Sequence, residues 1–171
     1  MENIKCILID VDGTLTDGTI YIHSSGEEEF KSFNVKDGMG IIKAIEAGLI
    51  VGIITGRKSD AVLKRANQLN VKYIYQGSNK KVDIINEISN KENIKLNNII
   101  FIGDDINDYL AMKHVGYCAC PKNASNDILK ISDYISSYDG GKGAVRDIIE
   151  HILKLQGKWR IDNESSSYYT K

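Results

Sequence analysis

Ile4-Lys5-Cys6-Ile7-Leu8-Ile9-Asp10-Val11-Asp12-Gly13-Thr14-Leu15-Thr16-Asp17-Gly18 decides the fold. An aliphatic, β-branched run that stops abruptly at two carboxylates, a glycine and a threonine reads as a buried strand delivering polar groups at its carboxyl end. In α/β proteins that end of the sheet carries the site. Asp10 and Asp12 are two apart, so a strand continuing through both predicts side chains on one face. Like charges that close call for a shared cation or a held proton. A carboxylate beside Mg²⁺ can attack phosphorus, and its neighbour, protonated in turn, can serve the leaving oxygen as an acid and then water as a base. Gly13 would let backbone N–H groups approach a phosphate. The bland alternative for the stretch alone is a strand end followed by a solvated Asp-Gly turn.

Composition fits a single soluble domain with a substantial core: 171 residues, 42% hydrophobic, 26% charged, net charge −1. That balance gives no reason to expect nucleic acid or a membrane surface as partner. No apolar run reaches bilayer length, and Asp10 interrupts the amino terminus before a signal-peptide core is complete, so a cytoplasmic protein is expected. Cys6, Cys118 and Cys120 are odd in number and lie in apolar runs, which predicts buried reduced thiols. Cys118-x-Cys120 and the scattered His23, His114 and His151 lack zinc-ligand spacing.

Strand and helix patterns then alternate. Thr19 to His23 and Glu28 to Phe33 flank Ser24-Ser25-Gly26 as a hairpin; later strands are predicted at 49–54, 71–75, 98–102, 117–119 and 134–135. Helices are predicted at 37–47, 59–69, 80–91, 108–114, 125–131 and 143–155. The expected fold is a doubly wound, Rossmann-like parallel sheet over residues 1–159, with a hairpin insertion at about 19–33, no cap domain, and a flexible tail over 160–171.

In such a sheet the polar punctuation converges. Asp10 and Asp12 end the first strand and Thr55-Gly56 the second; Lys81 begins the helix after the third, and Gly103-Asp104-Asp105 with Asp108 follow the fourth. These positions meet in one crevice. Thr55 and the backbone N–H groups suit phosphate oxygens, and Lys81 suits their developing charge, steadied by Asp108 or Asp105. Asp104 is the natural second carboxylate beside Asp10 for Mg²⁺.

The set Asp10-Val11-Asp12-Gly13-Thr14, Ile54-Thr55-Gly56-Arg57, Lys81 and Gly103-Asp104-Asp105-x-x-Asp108 resembles the four motifs of the haloacid dehalogenase superfamily of phosphohydrolases, over residues 1 to about 157. Further motifs narrow the likeness: Asp12 to Gly18, Phe33-Asn34-Val35-Lys36-Asp37-Gly38, Thr55 to Ser59, Gln76-Gly77, Gly140 to Arg146 and Gln156-Gly157-Lys158-Trp159. They resemble the branch acting on the phosphate monoester of an eight-carbon keto sugar acid in bacterial lipopolysaccharide synthesis. The resemblance implies a Mg²⁺-dependent homotetramer with Asp10 as nucleophile and Asp12 as acid/base, its backbone carbonyl also touching the metal. It further implies Thr55 and Lys81 on the phosphate and Asp104 on the metal. A lysine five residues after Gln76 selects Lys81, with Lys80 the alternative.

A hairpin of this length cannot shield the crevice as a domain would. The expectation is that neighbouring subunits cover it, with Gly140 to Gly143 or the carboxyl tail as a mobile cover. A substrate carboxylate calls for a cation; Arg57 and Arg65 are the candidates, with Lys142 and Arg146 in reserve. A nine-carbon sugar phosphatase resembles this chain but has glutamate where Arg57 stands, which favours the eight-carbon ester. A phospho-accepting receiver module is the non-enzymatic alternative. Motif order speaks against it, because here the paired aspartates come first.

Overall fold

The computed structural model describes residues 1–22 and 29–161. Six parallel strands form one sheet in the order β5-β4-β1-β6-β7-β8, where β1 is Cys6–Ile9, β4 Ile50–Thr55, β5 Tyr73–Gln76, β6 Ile99–Ile102, β7 Tyr117–Cys120 and β8 Tyr134–Ile135. Two short antiparallel strands, β2 (Tyr21–Ile22) and β3 (Glu29–Phe30), pair separately, with Tyr21 opposite Phe30. They match the expected insertion; its predicted turn at Ser24-Ser25-Gly26, like the tail beyond residue 161, lies outside the described residues. The helices are α1 (Val35–Glu46), α2 (Asp60–Gln68), α3 (Lys81–Glu92), α4 (Tyr109–His114), α5 (Asn126–Ile131) and α6 (Ala144–Leu155).

Strand pleat sorts the core into two layers. Ile7 and Ile9 of β1, Val51 and Ile53 of β4, and Ile100 and Ile102 of β6 pack with Ile41 and Ala44 of α1, Val62 of α2, and Ile148 and Ile152 of α6. The alternate residues Cys6, Leu8, Ile54, Ile99 and Phe101 pack with Ile84, Ile85 and Ile88 of α3, Met112 of α4 and Ile128 of α5. Both faces of the sheet are covered, which is why its strands read as continuous apolar runs. Full burial of one Ile or Leu contributes about 1.5–3 kcal/mol, so the two layers supply the main driving force.

From β1 the chain proceeds outward to β4 and β5, then returns to β6 on the other side of β1. Connections after β1 and β6 therefore leave toward opposite faces and open a crevice between them, the topological switch point. Ile9 stands opposite Ile53 of β4 and Ile102 of β6, which places residue 10 at the floor of that crevice.

One buried polar tie secures the crevice from behind. Asp37 of α1 is 1% exposed, and its Oδ1 accepts the Arg146 N–H at 2.8 Å at the start of α6. Burial pushes this carboxyl above its ordinary range, while N–H groups of Arg146, Gly143 and Val145 oppose that shift. An acidic side chain at a helix amino terminus is electrostatically well placed, so α1 and α6 are locked in register.

Candidate active site

The pleat of β1 selects which side chain enters the site. Cys6 and Leu8 face the α3 layer, and Asp10, next in that alternation, faces the same way. There α3 begins with Lys81, whose Nζ donates to Asp10 Oδ1 at 2.7 Å and also to Asp108 Oδ1. Asp10, Lys81 and Asp108 are 2%, 3% and 0% exposed, so this bridge is wholly inside the protein. Lys80 is exposed, which settles the choice between the adjacent lysines in favour of Lys81 at the cluster.

Asp108 is held on its other oxygen. Oδ2 accepts the Asp104 N–H at 3.0 Å, and Gly103 is required beside it because a Cβ there would lie 2.5 Å from Asp108 Cγ. Asp105 does not reach Lys81; it is exposed and caps the turn Ile106–Asp108, its Oδ1 accepting the Ile106 N–H at 2.8 Å. Of the two expected supports for the lysine, Asp108 is thus the one in contact.

Asp104 enters from the far side of the crevice. Its Oδ1 accepts the Thr14 hydroxyl at 3.0 Å, and its Oδ2 lies where a side chain on residue 13 would have to go: a Cβ on Gly13 would be 2.0 Å away. Gly13 also has φ +88°, so two independent constraints demand glycine there. The Asp104 carbonyl is fixed in turn by the Ser125 N–H at 2.8 Å.

Carboxylate oxygens of Asp10, Asp104 and Asp108 lie within 4.8 Å of one another. Burial pushes Asp10 up to about 7, with Asp108 and Asp104 adding to the rise and Lys81 opposing it. Burial pushes Asp104 up to about 7 as well, with Asp108 the next cause. Burial pulls the Lys81 ammonium down, but Asp10 and Asp108 outweigh it and lift Lys81 above its ordinary value. Three acids against one lysine leave excess negative charge in a buried place, the condition a divalent cation relieves. Because Asp108 is taken up by Lys81 and two backbone N–H groups, Asp10 and Asp104 are the carboxylates left for such an ion.

Asp12 departs from the expectation of a shared strand face. The strand ends at Ile9, and residues 11–15 form a wide turn closed by the Thr16 N–H on the Val11 carbonyl at 3.0 Å, with Asp12 at φ −76°, ψ 114°. Asp10 is thereby buried whereas the Asp12 side chain is 28% exposed and pairs with Lys31, which follows β3. Lys31 carries no strand-end or helix-start signal, and nothing local in the sequence announces this contact. Thr16-Asp17-Gly18 then redirects the chain toward the hairpin: the Gly18 N–H meets Thr16 Oγ1 at 3.3 Å and the Thr19 N–H meets Asp17 Oδ1 at 3.0 Å.

Thr55 ends β4 as a buried residue, its hydroxyl oxygen accepting the Arg57 N–H at 3.4 Å. Gln76 Oε1 accepts the Ser59 N–H at 2.7 Å, and Ser78 N–H meets the Thr55 carbonyl at 3.4 Å, so the end of β5 braces this turn. A Cβ on Gly56 would come 2.8 Å from Asn79 Oδ1. Arg57 is exposed at the rim. Arg65 is elsewhere: it lies between α1 and α2, its Nη2 2.3 Å from where a Gly38 Cβ would stand. Arg146 is turned onto Glu150 at 3.1 Å and the Trp159 ring at 4.7 Å, while Lys142 stays solvent-facing, 3.6 Å from Asp17.

The Gly140–Gly143 segment is a buttress, which corrects its reading as a mobile cover. Gly141 N–H bonds the Thr14 carbonyl at 3.1 Å and Gly140 N–H bonds Asn123 Oδ1 at 2.9 Å. A Cβ on Gly140 would lie 1.8 Å from the Gly13 carbonyl oxygen. The glycines are there because two backbones touch, and they support the turn that carries Asp12 and Gly13.

The chain is similar to known phosphatases in sequence and in fold. The haloacid dehalogenase-like hydrolase family matches residues 73–149. The 3-deoxy-D-manno-octulosonate 8-phosphate phosphatase KdsC of Escherichia coli is 39% identical over 157 residues, covering 92% of this chain and 83% of that protein. The crystal structure of the 3-deoxy-D-manno-octulosonate 8-phosphate phosphatase of Moraxella catarrhalis, in complex with magnesium ion, phosphate ion and KDO, superposes with TM-score 0.88 at 39% identity, covering 91% of this chain and 89% of that one. The cobalt-bound phosphatase YrbI of Haemophilus influenzae gives 0.87 at 33% identity, covering 91% of each chain.

Proposed function

Because this chain belongs to the haloacid dehalogenase superfamily, in the family of 3-deoxy-D-manno-octulosonate 8-phosphate phosphatases, we propose that it hydrolyses that ester with Mg²⁺ through an aspartyl-phosphate on Asp10. The observation that carries the reading is the buried Asp10–Lys81–Asp108 bridge with Asp104 beside it. Asp10, Asp104 and the backbone carbonyl of Asp12 would hold the ion. Bound there, Mg²⁺ supplies positive charge to the phosphoryl oxygens and to the attacking carboxylate.

The chain's own groups divide the remaining work. Asp10 attacks phosphorus as its bond to the sugar oxygen breaks, and Asp12 gives that oxygen a proton. Asp12 then takes a proton from the water that attacks the aspartyl-phosphate, releasing phosphate and restoring Asp10. Lys81, Thr55 and backbone N–H groups at Gly13 and Gly56 meet the phosphoryl oxygens, and Asp108 keeps the lysine on station. Arg57 at the rim suits the substrate carboxylate and favours the eight-carbon ester over a nine-carbon one; Arg65, packed on Gly38 between α1 and α2, is the second candidate.

A core continuous through both layers fits a single domain over 1–159, for which the family likeness suggests a homotetramer. Ile20, Tyr21, Phe30 and Val35 are 46%, 51%, 61% and 74% exposed, apolar side chains that a neighbouring copy would cover. A cytoplasmic setting accords with three buried free cysteines. Among the described residues no helix is long and apolar enough to cross a membrane.

Phosphate release from eight- and nine-carbon sugar acid esters and from 4-nitrophenyl phosphate, with Mg²⁺ or EDTA, tests the reading. Expected are hydrolysis abolished by EDTA and preference for the eight-carbon ester. A clear nine-carbon preference overturns the substrate, and hydrolysis indifferent to metal overturns the mechanism.

A further inference from the structure

Lys31 belongs to no motif, yet its side chain is 2% exposed and its ammonium rests on Asp12 Oδ1. Burying an ammonium is costly unless a partner is fixed against it, so this contact constrains both groups. Asp12 needs such a constraint. It sits on a wide turn past the end of β1, 28% exposed, and among the described residues its other oxygen, Oδ2, has no hydrogen-bond partner. A carboxylate pinned at one oxygen and open at the other is oriented for proton transfer through the open one.

We propose that Lys31 is a positioning residue for Asp12: it pins Oδ1 so that Oδ2 faces the leaving oxygen, and it joins the hairpin to the proton-transfer step. Lys31 is distinct in this from Lys81, which lies on the Asp10 and Asp108 side. The burial of Lys31 also separates it from a substrate-binding cation such as Arg57, which is exposed at the rim. The inference rests on Asp12 being the acid/base. It also gives the insertion a chemical purpose besides cover: packing of the hairpin fixes where Lys31 stands and thereby where the proton is delivered.

The test is the dependence on leaving group. An alkyl sugar ester needs a proton on its departing oxygen, whereas 4-nitrophenolate leaves with little help, and kcat/KM reports phosphoryl transfer to Asp10 for both. Lys31→Gln should lower kcat/KM about 10- to 100-fold on the sugar ester and no more than about 3-fold on 4-nitrophenyl phosphate, because a misplaced acid forfeits part of the usual 10²–10⁴-fold contribution. Lys31→Arg, which keeps the charge and the reach, should recover most of the sugar-ester loss. In an Asp12→Asn background the Lys31→Gln effect should shrink below about 2-fold, since there is no acid left to place.

Equal losses on both esters, or an undiminished loss in the Asp12→Asn background, would overturn the proposal. If Lys31→Gln melts early, the ester ratio of Lys31→Arg decides: an equal loss on both esters overturns the proposal, and retained sugar-ester turnover supports it. Failure of the underlying reading looks different, because Asp12→Asn itself would then spare the sugar ester.

Discussion

At the carboxyl edge of the sheet, Asp10, Lys81 and Asp108 are at most 3% exposed; Lys81 holds two partners and Asp108 three. At the hairpin, Tyr21 and Phe30 face each other across two-residue strands and stay 51% and 61% exposed. The edge is over-determined: strand pleat, helix start, glycine contacts and backbone N–H groups all specify the same geometry. Among the described residues the hairpin reaches the site through Lys31 on Asp12. Chemistry that demands positions fixed to fractions of an ångström is thus placed on the sheet, and the hairpin adds an exposed apolar pair beside it.

The sharpest break of that contrast is Asp10→Asn, which removes the attacking oxygen while preserving shape; turnover should fall about 10⁴-fold or more with little change in melting temperature. Lys81→Met comes next and strikes the edge twice. It should cost about 10²–10³-fold in kcat from lost charge stabilisation. It should also cost about 3–5 kcal/mol in urea unfolding, because two buried carboxyls lose their cation. Gly13→Ala must push Asp104 aside and strain a positive φ, so Mg²⁺ affinity measured by calorimetry should weaken about 10- to 100-fold.

The pH response sharpens the same contrast. In the metal-free fold, Asp10 and Asp104 both sit near 7, above their unfolded values, so the folded state takes up protons more readily than the unfolded one. The stability this contributes is full below about pH 4 and is lost as pH rises through about 7. Mg²⁺ competes with those protons; its elevation of Tm should therefore be greater at pH 8 than at pH 6, and Asp104→Asn should flatten the difference. A Mg²⁺ effect independent of pH would contradict the charge balance described for the edge.

The smallest stability effect belongs to the hairpin. Tyr21→Ser with Phe30→Ser should change the unfolding free energy of the isolated chain by no more than about 0.5 kcal/mol. It should nevertheless dissociate the assembly in sedimentation and lower sugar-ester turnover. Intact assembly would remove the hairpin as its joint.

The sheet could be read from the sequence because its central strands are buried on both faces and end in polar residues. Asp10, Thr55 and Asp104 are legible by place, since a parallel sheet gathers its carboxyl ends, whereas Lys81 is told from Lys80 only by the family pattern. What local pattern could not give were contacts made by groups distant in sequence. Lys31 on Asp12, Asp37 on the start of α6 and Asn123 on Gly140 depend on how loops and helices pack, and no periodicity encodes them. Asp10 and Asp12 do not share a strand face, because the chain leaves the strand at Ile9. Gly140–Gly143 invited a flexible reading because glycine permits motion, but here it permits backbone contact.

In the proposed mechanism Asp10 carries the phosphoryl group. Asp12→Asn enzyme turning over 4-nitrophenyl phosphate with Mg²⁺ should accumulate the aspartyl-phosphate, since the leaving group needs little acid and the base for breakdown is gone. Acid quench, borohydride reduction and peptide mass analysis should find homoserine at position 10 and at no other aspartate. Homoserine at another position, or phosphate release with no reducible ester at any position, would contradict the account.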